Sequence, residues 1–207
     1  MSQNSKNPTA LMLMRLERAK EGQEGILVRG LKNFFKANFG ATTLPKVAAD
    51  AILYDQLRTV GATNLSFFNG AFTPQRSNFP GGSFQLPQSE HMLILGLKIY
   101  DGAAATVEQT NWQPGVSDAL VKNGNIDVLV NGQKVITAVP MTAFDTNATS
   151  ATTAGRTDEN RGFYYLTEPI ALLGQTTLNI NLALLTATAT ANYNLRVELH
   201  GIRFIGS

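Results

Sequence analysis

The chain has 207 residues, of which 43% are hydrophobic and only 15% are charged, whereas soluble proteins average about 25% charged residues. This length supports one full hydrophobic core, and all-β domains of such a size are commonly single units. The net charge of +2 is too small to indicate a nucleic-acid-binding protein by itself, and the lack of cysteine excludes disulfides and thiolate metal sites.

Positive charge is concentrated near the N-terminus. Residues 1–46 contain eight Lys or Arg and three Asp or Glu, and the rest of the chain contains nine and twelve. Residues 10–20 and 26–39 repeat apolar side chains at helical spacing. We therefore predict a basic, partly helical N-terminal arm over residues 1–61, with six basic residues as contacts for lipid or nucleic acid. They are Arg15, Arg18, Lys20, Arg29, Lys32 and Lys36.

The second arm segment, residues 26–39, has an alternative interpretation. Its apolar stripe includes Leu27, Leu31, Phe34 and Phe35, and its basic residues fall on another side. Most amphipathic helices of this kind pack their stripe on the protein's own core. The sequence leaves both interpretations open.

The next stretches give signals of different clarity. Residues 44–60 fit either a helix or an extended segment, and the sequence does not decide between them. Turn residues punctuate 61–87, which predicts short strands and loops. Met92–Tyr100 is apolar nearly throughout and predicts a buried strand, in which Gly96 indicates a bulge or a close neighbour.

The clearest local signal is a β-hairpin centred on Asn131-Gly132. Asn-Gly readily adopts positive φ at both central positions of a type I′ turn. In the first strand of the hairpin Ile126, Val128 and Val130 recur at alternate positions, which predicts one buried face. A single hairpin is marginally stable in water, so this one requires partner strands.

Two strands are predicted after a long loop of small residues. Phe163–Leu166 is the first, and Pro169 is expected to end it. The second strand shows strict alternation of apolar residues with small or polar ones. Its inward-facing residues are expected to be Leu178, Ile180, Leu182 and Leu184.

The last strand runs almost to the C-terminus. The apolar residues of Leu195–Leu199 share one face, but Ile202 and Phe204 fall on the other parity. A bulge at Gly201 is expected to reset the alternation and bring all of them inward.

Together these segments predict a mainly β protein with about seven to nine strands and no regular alternation of strands and helices. An antiparallel β-sandwich fits this pattern, either immunoglobulin-like or a jelly roll. The long connections at 101–125 and 144–162 favour a single jelly roll. We place it at residues 62–207, after the arm.

The sequence contains no recognisable catalytic or cofactor-binding motif. His91 and His200 each lie in or beside an apolar strand without an acidic neighbour at metal-binding spacing, so we interpret both as structural. No nucleophile elbow, phosphate loop or dinucleotide motif occurs. We therefore expect no enzyme activity, no catalytic residues, no cofactor, no metal site and no small-molecule substrate.

Several of these features together resemble one protein family. They are the basic arm, the entry segments Ser66–Phe72 and Ser77–Gly81 rich in Phe, Asn, Pro and Gly, the buried strand, the Asn-Gly hairpin and the long Ala/Thr loop. The combination resembles the jelly-roll capsid proteins of tailless icosahedral bacteriophages. That resemblance implies a coat subunit with one roll or a minor capsid component.

We accordingly expect a structural virion protein that assembles with itself and with other capsid proteins into an icosahedral shell. The arm is expected to meet an internal membrane or the packaged genome. Because the N-terminus lacks signal-peptide features, we expect synthesis in the host cytoplasm before incorporation into the virion. The alternative is a non-catalytic β-sandwich module of a viral or bacterial appendage, which binds carbohydrate or a receptor through exposed aromatics such as Trp112, Tyr164 or Tyr165.

Overall fold

The computed structural model describes residues 37, 48–59, 61–70, 73–80, 84–116, 119–144, 162–187 and 193–205. Of the predicted helices of the arm, only residue 37 falls within these ranges. The described strands are β1 Ala48–Arg58, β2 Asn64–Phe67, β3 Glu90–Ala103, β4 Gln113–Pro114, β5 Asn125–Val130, β6 Gln133–Pro140, β7 Phe163–Leu172, β8 Leu178–Ala183 and β9 Tyr193–Ile205. Short helical turns occupy Val107–Gln109, Ala119–Lys122 and Met141–Phe144.

The protein is mainly β, and its strands form two antiparallel sheets. In the five-stranded sheet the order is β1-β9-β3-β4, with β7 also paired to β3, and in the four-stranded sheet it is β2-β8-β5-β6. Buried residues of both sheets belong to one hydrophobic cluster. The two sheets therefore enclose a common core, as the composition indicated.

The hairpin prediction is confirmed. β5 and β6 pair on either side of Asn131 and Gly132, whose φ angles are +50° and +76°. Ile126 and Val128 are buried on the core side, and Val130 is half-buried. Local sequence was sufficient here because the turn type depends on only two residues.

The alternating strand is also confirmed. β8 is the second strand of the four-stranded sheet, between β2 and β5, and its four predicted inward residues are 0–7% exposed. Across the ladder Ile180 is the partner of Val128, and Leu182 is the partner of Ile126 and of Leu65. These rows of side chains form the four-stranded sheet's contribution to the core.

The sheet begins earlier than predicted. β1 lies within the range assigned to the N-terminal arm, yet it pairs with β9 without a break from Ala48 to Arg58. Residues 48–58 are therefore extended and belong to the sheet. The apolar alternation of β1 was obscured because Asp55, a charged residue, points inward and is 0% exposed.

The prediction of a bulge at Gly201 is wrong. β9 keeps an unbroken register with β1 through Gly201, and the irregularity lies in β3, where Ile94 pairs with Gly201 and Gly96 with His200. Leu95 is the extra residue. Gly96 is required beside this bulge because the ring of Phe163 occupies the position of a Cβ atom.

The prediction that Pro169 ends a strand is also wrong. β7 continues from Phe163 to Leu172, with Tyr165 opposite Gly96 and Ile170 opposite Ile94. Residues 166–169 lie between these two pairs, opposite the single residue Leu95. Pro169 is tolerated there because it falls in an interruption of the ladder, where no backbone N–H is needed for pairing.

Candidate interaction surfaces

The six basic residues that the sequence predicted as contacts all lie outside the described residues, so their positions stay predictions. The two histidines are described. His91 Nδ1 accepts a hydrogen bond of 3.0 Å from the backbone N–H of Gly174, and burial lowers the pKa of its ring. A neutral His91 with this backbone partner fits the structural role expected for it.

The outer face of the five-stranded sheet, which points away from the four-stranded sheet, carries a cluster of charged residues. Because Leu195, Val197 and Leu199 face the core, the residues between them point outward. We call Lys98, Arg196, Glu198 and His200 the charged cluster. Lys98 belongs to it because it is the direct partner of Glu198 across the β3–β9 ladder.

Glu198 is the centre of the charged cluster. Its Oε1 lies 2.7 Å from Arg196 Nη2, and its Oε2 accepts a hydrogen bond of 3.0 Å from His200 Nε2. Burial alone raises the pKa of the Glu198 carboxyl, but the His200 hydrogen bond and the charges of Arg196, His200 and Lys98 outweigh it. The pKa therefore lies below its ordinary value.

Aromatic rings support the cations of the cluster. The Arg196 guanidinium carbon lies 3.9 Å from the centroid of the Tyr54 ring, and Lys98 Nζ lies 4.9 Å from the centroid of the Tyr100 ring. Such contacts favour cations over an aromatic face. Lys98, Arg196 and Glu198 give the charged cluster one more permanent cation than carboxylates, so the cluster itself is suited to an anionic partner.

A second surface lies where the edge strands β6 and β7 of the two sheets approach each other. An open groove of about 390 Å³, which we call the lateral groove, runs between them. Its lining is uncharged and consists of Val135, Ile136, Tyr164, Leu166, Thr167 and Ile170. Val135 is 47% exposed, so apolar area is available to a partner at this edge.

Edge strand β6 is irregular in a way that limits simple strand addition. β6 has one extra residue opposite the β5 step from Ile126 to Val128, and a second extra residue opposite the step from Val128 to Leu129. Bulges of this kind twist an exposed edge away from uncontrolled pairing. A partner that binds this side is therefore better accommodated by the lateral groove than by the backbone of β6.

Sequence analysis missed both surfaces for different reasons. The charged cluster had a signal, because Arg196, Glu198 and His200 occupy alternate positions between the apolar residues of β9. The sequence prediction rested on the apolar residues of this alternation and not on the charged ones. The lateral groove had no local signal, because it joins β6 to β7 across residues that are distant in sequence.

The described residues give further facts on metal binding, membrane spanning and exposed aromatic rings. Among them, no group of three or more His, Asp or Glu side chains is arranged to hold a metal ion. Within the same ranges, no helix is both long and apolar enough to cross a membrane. Of the three aromatics considered for ligand binding, Tyr165 is 53% exposed, and Trp112 and Tyr164 are only partly exposed.

Comparison of the sequence with models of known protein families gives no match, and no curated protein matches it either.

Proposed function

We propose that the chain is a structural subunit of a virus shell, built on a single jelly roll and assembled from copies of itself with other capsid proteins. A bacteriophage virion is the setting that the sequence resemblance suggests. The observation that carries the proposal is the order in which the strands pair.

The strand pairs are nested within one another along the chain. β5 pairs with β6, β3 with β7, β2 with β8 and β1 with β9. The chain is thus folded as one long antiparallel hairpin with its tip at Asn131-Gly132. Further pairing of β3 with β9 and of β5 with β8 wraps this hairpin into two sheets. Eight strands in this arrangement are what a jelly roll requires, and viral capsid domains commonly use that fold.

The composition suits repeated contacts between copies. With only 15% charged residues, a copy can bury much of its surface without leaving charges unpaired in an interface. The lateral groove is uncharged and is lined by both apolar and neutral polar groups, so a second copy with this neutral surface matches its chemistry. We assign the lateral groove to contact between copies, of the heterologous kind that generates rings and shells.

The basic residues of the first 46 positions complete the proposal. In a shell we expect them to meet anionic partners, either lipid headgroups or the phosphates of a packaged genome. Lys98 and Arg196 of the charged cluster add positive charge on the outer face of the five-stranded sheet. Virion location and the absence of enzyme activity are part of this proposal.

Sedimentation velocity of the purified chain tests the proposal. We expect large, discrete assemblies, and we expect Val135→Lys to abolish them because it places a charge in the lateral groove. Gln133→Lys, at an exposed position of the same strand, is the matched control and should assemble normally. A chain that sediments only as a monomer contradicts the proposal, and glycan binding by that monomer favours the alternative binding module.

A further inference from the structure

The outer face of the five-stranded sheet also carries an apolar patch, made of Leu93, Ile202 and Phe204. Ile202 and Phe204 have the same parity as the charged residues of β9, and Leu93 is the ladder partner of Ile202. All three are nevertheless only 4–5% exposed. None of them belongs to the cluster that forms the core between the two sheets.

The burial of this patch has to come from outside the two sheets. The four-stranded sheet lies on the opposite side and cannot reach it. The cover is also limited in extent, because Ile52, the partner of His200 on the same face, is 47% exposed. These exposures fit a segment with bulky apolar side chains that lies over Leu93, Ile202 and Phe204 and leaves Ile52 open.

The sequence restricts which part of the chain can supply the cover. We call residues 1–47 the leading segment; it enters β1 at Ala48, the direct ladder partner of Phe204. The other ranges outside the described residues are one to three residues long or, at 145–161 and 188–192, contain no Leu, Ile, Val, Met or aromatic residue. The leading segment thus ends at the patch and is rich in such residues.

We propose that the apolar stripe of residues 27–39 docks on the apolar patch of its own chain. The nine residues from 40 to 48 can span about 30 Å when extended, which is far enough to return the stripe to the sheet. Phe34 and Phe35 are then the main covering side chains. This docking stands independently of the shell proposal.

The docking has a consequence for the charge of the outer face. When the stripe faces the sheet, Arg29, Lys32 and Lys36 point away from it, because they fall on the other side of the predicted helix. They then extend the positive surface begun by Lys98 and Arg196. Resting on the proposed function, we infer that this face is the one directed toward the anionic contents of the shell.

The lack of cysteine in the chain allows a direct test by thiol labelling of the full-length protein. Three single probes are placed: Leu93→Cys in the patch, Val197→Cys in the core between the sheets and Ile52→Cys at the open position. Each is labelled in the otherwise native chain and in the background of Phe34→Ser with Phe35→Ser. Labelling rates are compared at several protein concentrations.

We expect the serine background to accelerate labelling at position 93 by about tenfold or more, since it removes the local cover while the fold persists. Position 197 should stay slow, and position 52 should be fast in both backgrounds. An unchanged rate at position 93 overturns the proposal. A rise in the labelling rate at both positions 93 and 197 also overturns it, because that result would mean that Phe34 and Phe35 belong to the main core. Protection at position 93 that is lost on dilution assigns the cover to a neighbouring copy and overturns docking within one chain.

Discussion

The Asp127 carboxylate holds the backbone of Ala138 in an unusual conformation. Asp127 Oδ1 accepts a hydrogen bond of 2.7 Å from the Ala138 N–H, and the φ of Ala138 is +53°. The other oxygen, Oδ2, lies 2.7 Å from Lys134 Nζ. One side chain of β5 thus fixes two residues of the doubly bulged edge strand β6.

Asp127→Ala should lower the free energy of unfolding by about 1 kcal/mol near neutral pH, because a strained backbone group loses its acceptor. The hydrogen bonds from Lys134 and from Ala138 lower the pKa of Asp127. In acid the unfolded state therefore binds more protons than the folded state. The stabilisation from Asp127 is complete above its pKa in the unfolded state and is lost as the pH falls through its pKa in the folded state. Urea unfolding should show the wild type and Asp127→Ala converging in acid. A difference that persists there contradicts the assignment.

Leu182→Ala should destabilise the protein by about 2–5 kcal/mol, because Leu182 lies in the core-facing row of β8 and its removal leaves a cavity. Leu182 is 1% exposed. Leu185→Ala removes the same atoms from a residue that is 81% exposed and should change stability by less than about 0.5 kcal/mol. Thermal unfolding of both variants makes the comparison. Equal stability of the two would exclude the inward assignment of β8.

The hairpin and β8 were predictable because their signals are local: two turn residues in one case and a period-two pattern in the other. β1 was ambiguous because the inward Asp55 interrupts its pattern, and that residue is explained only by partners distant in sequence. The bulge was misplaced because Ile202 and Phe204 are buried on the outer face. A single sequence cannot distinguish a strand buried on both faces from a strand whose parity changes.

Gly132→Val should lower the free energy of unfolding by about 1–3 kcal/mol, because a β-branched residue resists the φ of +76° at this position. No atom lies within 4 Å of a Cβ built there, so the cost is conformational and not steric crowding by neighbours. Gly132→Asn is the matched control, since Asn tolerates positive φ. Denaturation curves in which Val and Asn behave alike would refute the turn.

Asp55→Ala should be among the most damaging single changes. Asp55 accepts hydrogen bonds from Arg76 Nε at 2.8 Å, from Arg76 Nη2 at 2.7 Å and from the Phe68 N–H at 2.6 Å. Burial raises the pKa of its carboxyl, and these partners oppose that rise. Removing the carboxylate deprives the largely buried guanidinium of Arg76 of its charge partner Asp55, which typically costs about 3–5 kcal/mol.

The double variant Asp55→Leu with Arg76→Met is the control for that prediction. If the loss comes from breaking the ion pair with Arg76, the double variant should be more stable than Asp55→Ala, as is found when apolar residues replace both members of a buried pair. Chemical denaturation of the two proteins measures the difference. A double variant that is less stable than Asp55→Ala would show that the hydrogen bond to Phe68, and not the ion pair, dominates.

Electron microscopy of the purified full-length chain tests the central claim most directly, because a shell subunit with heterologous self-contacts should form closed particles of uniform size. We expect such particles in the wild type and in Gln133→Lys, and their absence in Val135→Lys. A well-folded wild-type protein that remains as separate single copies at every concentration would contradict the account.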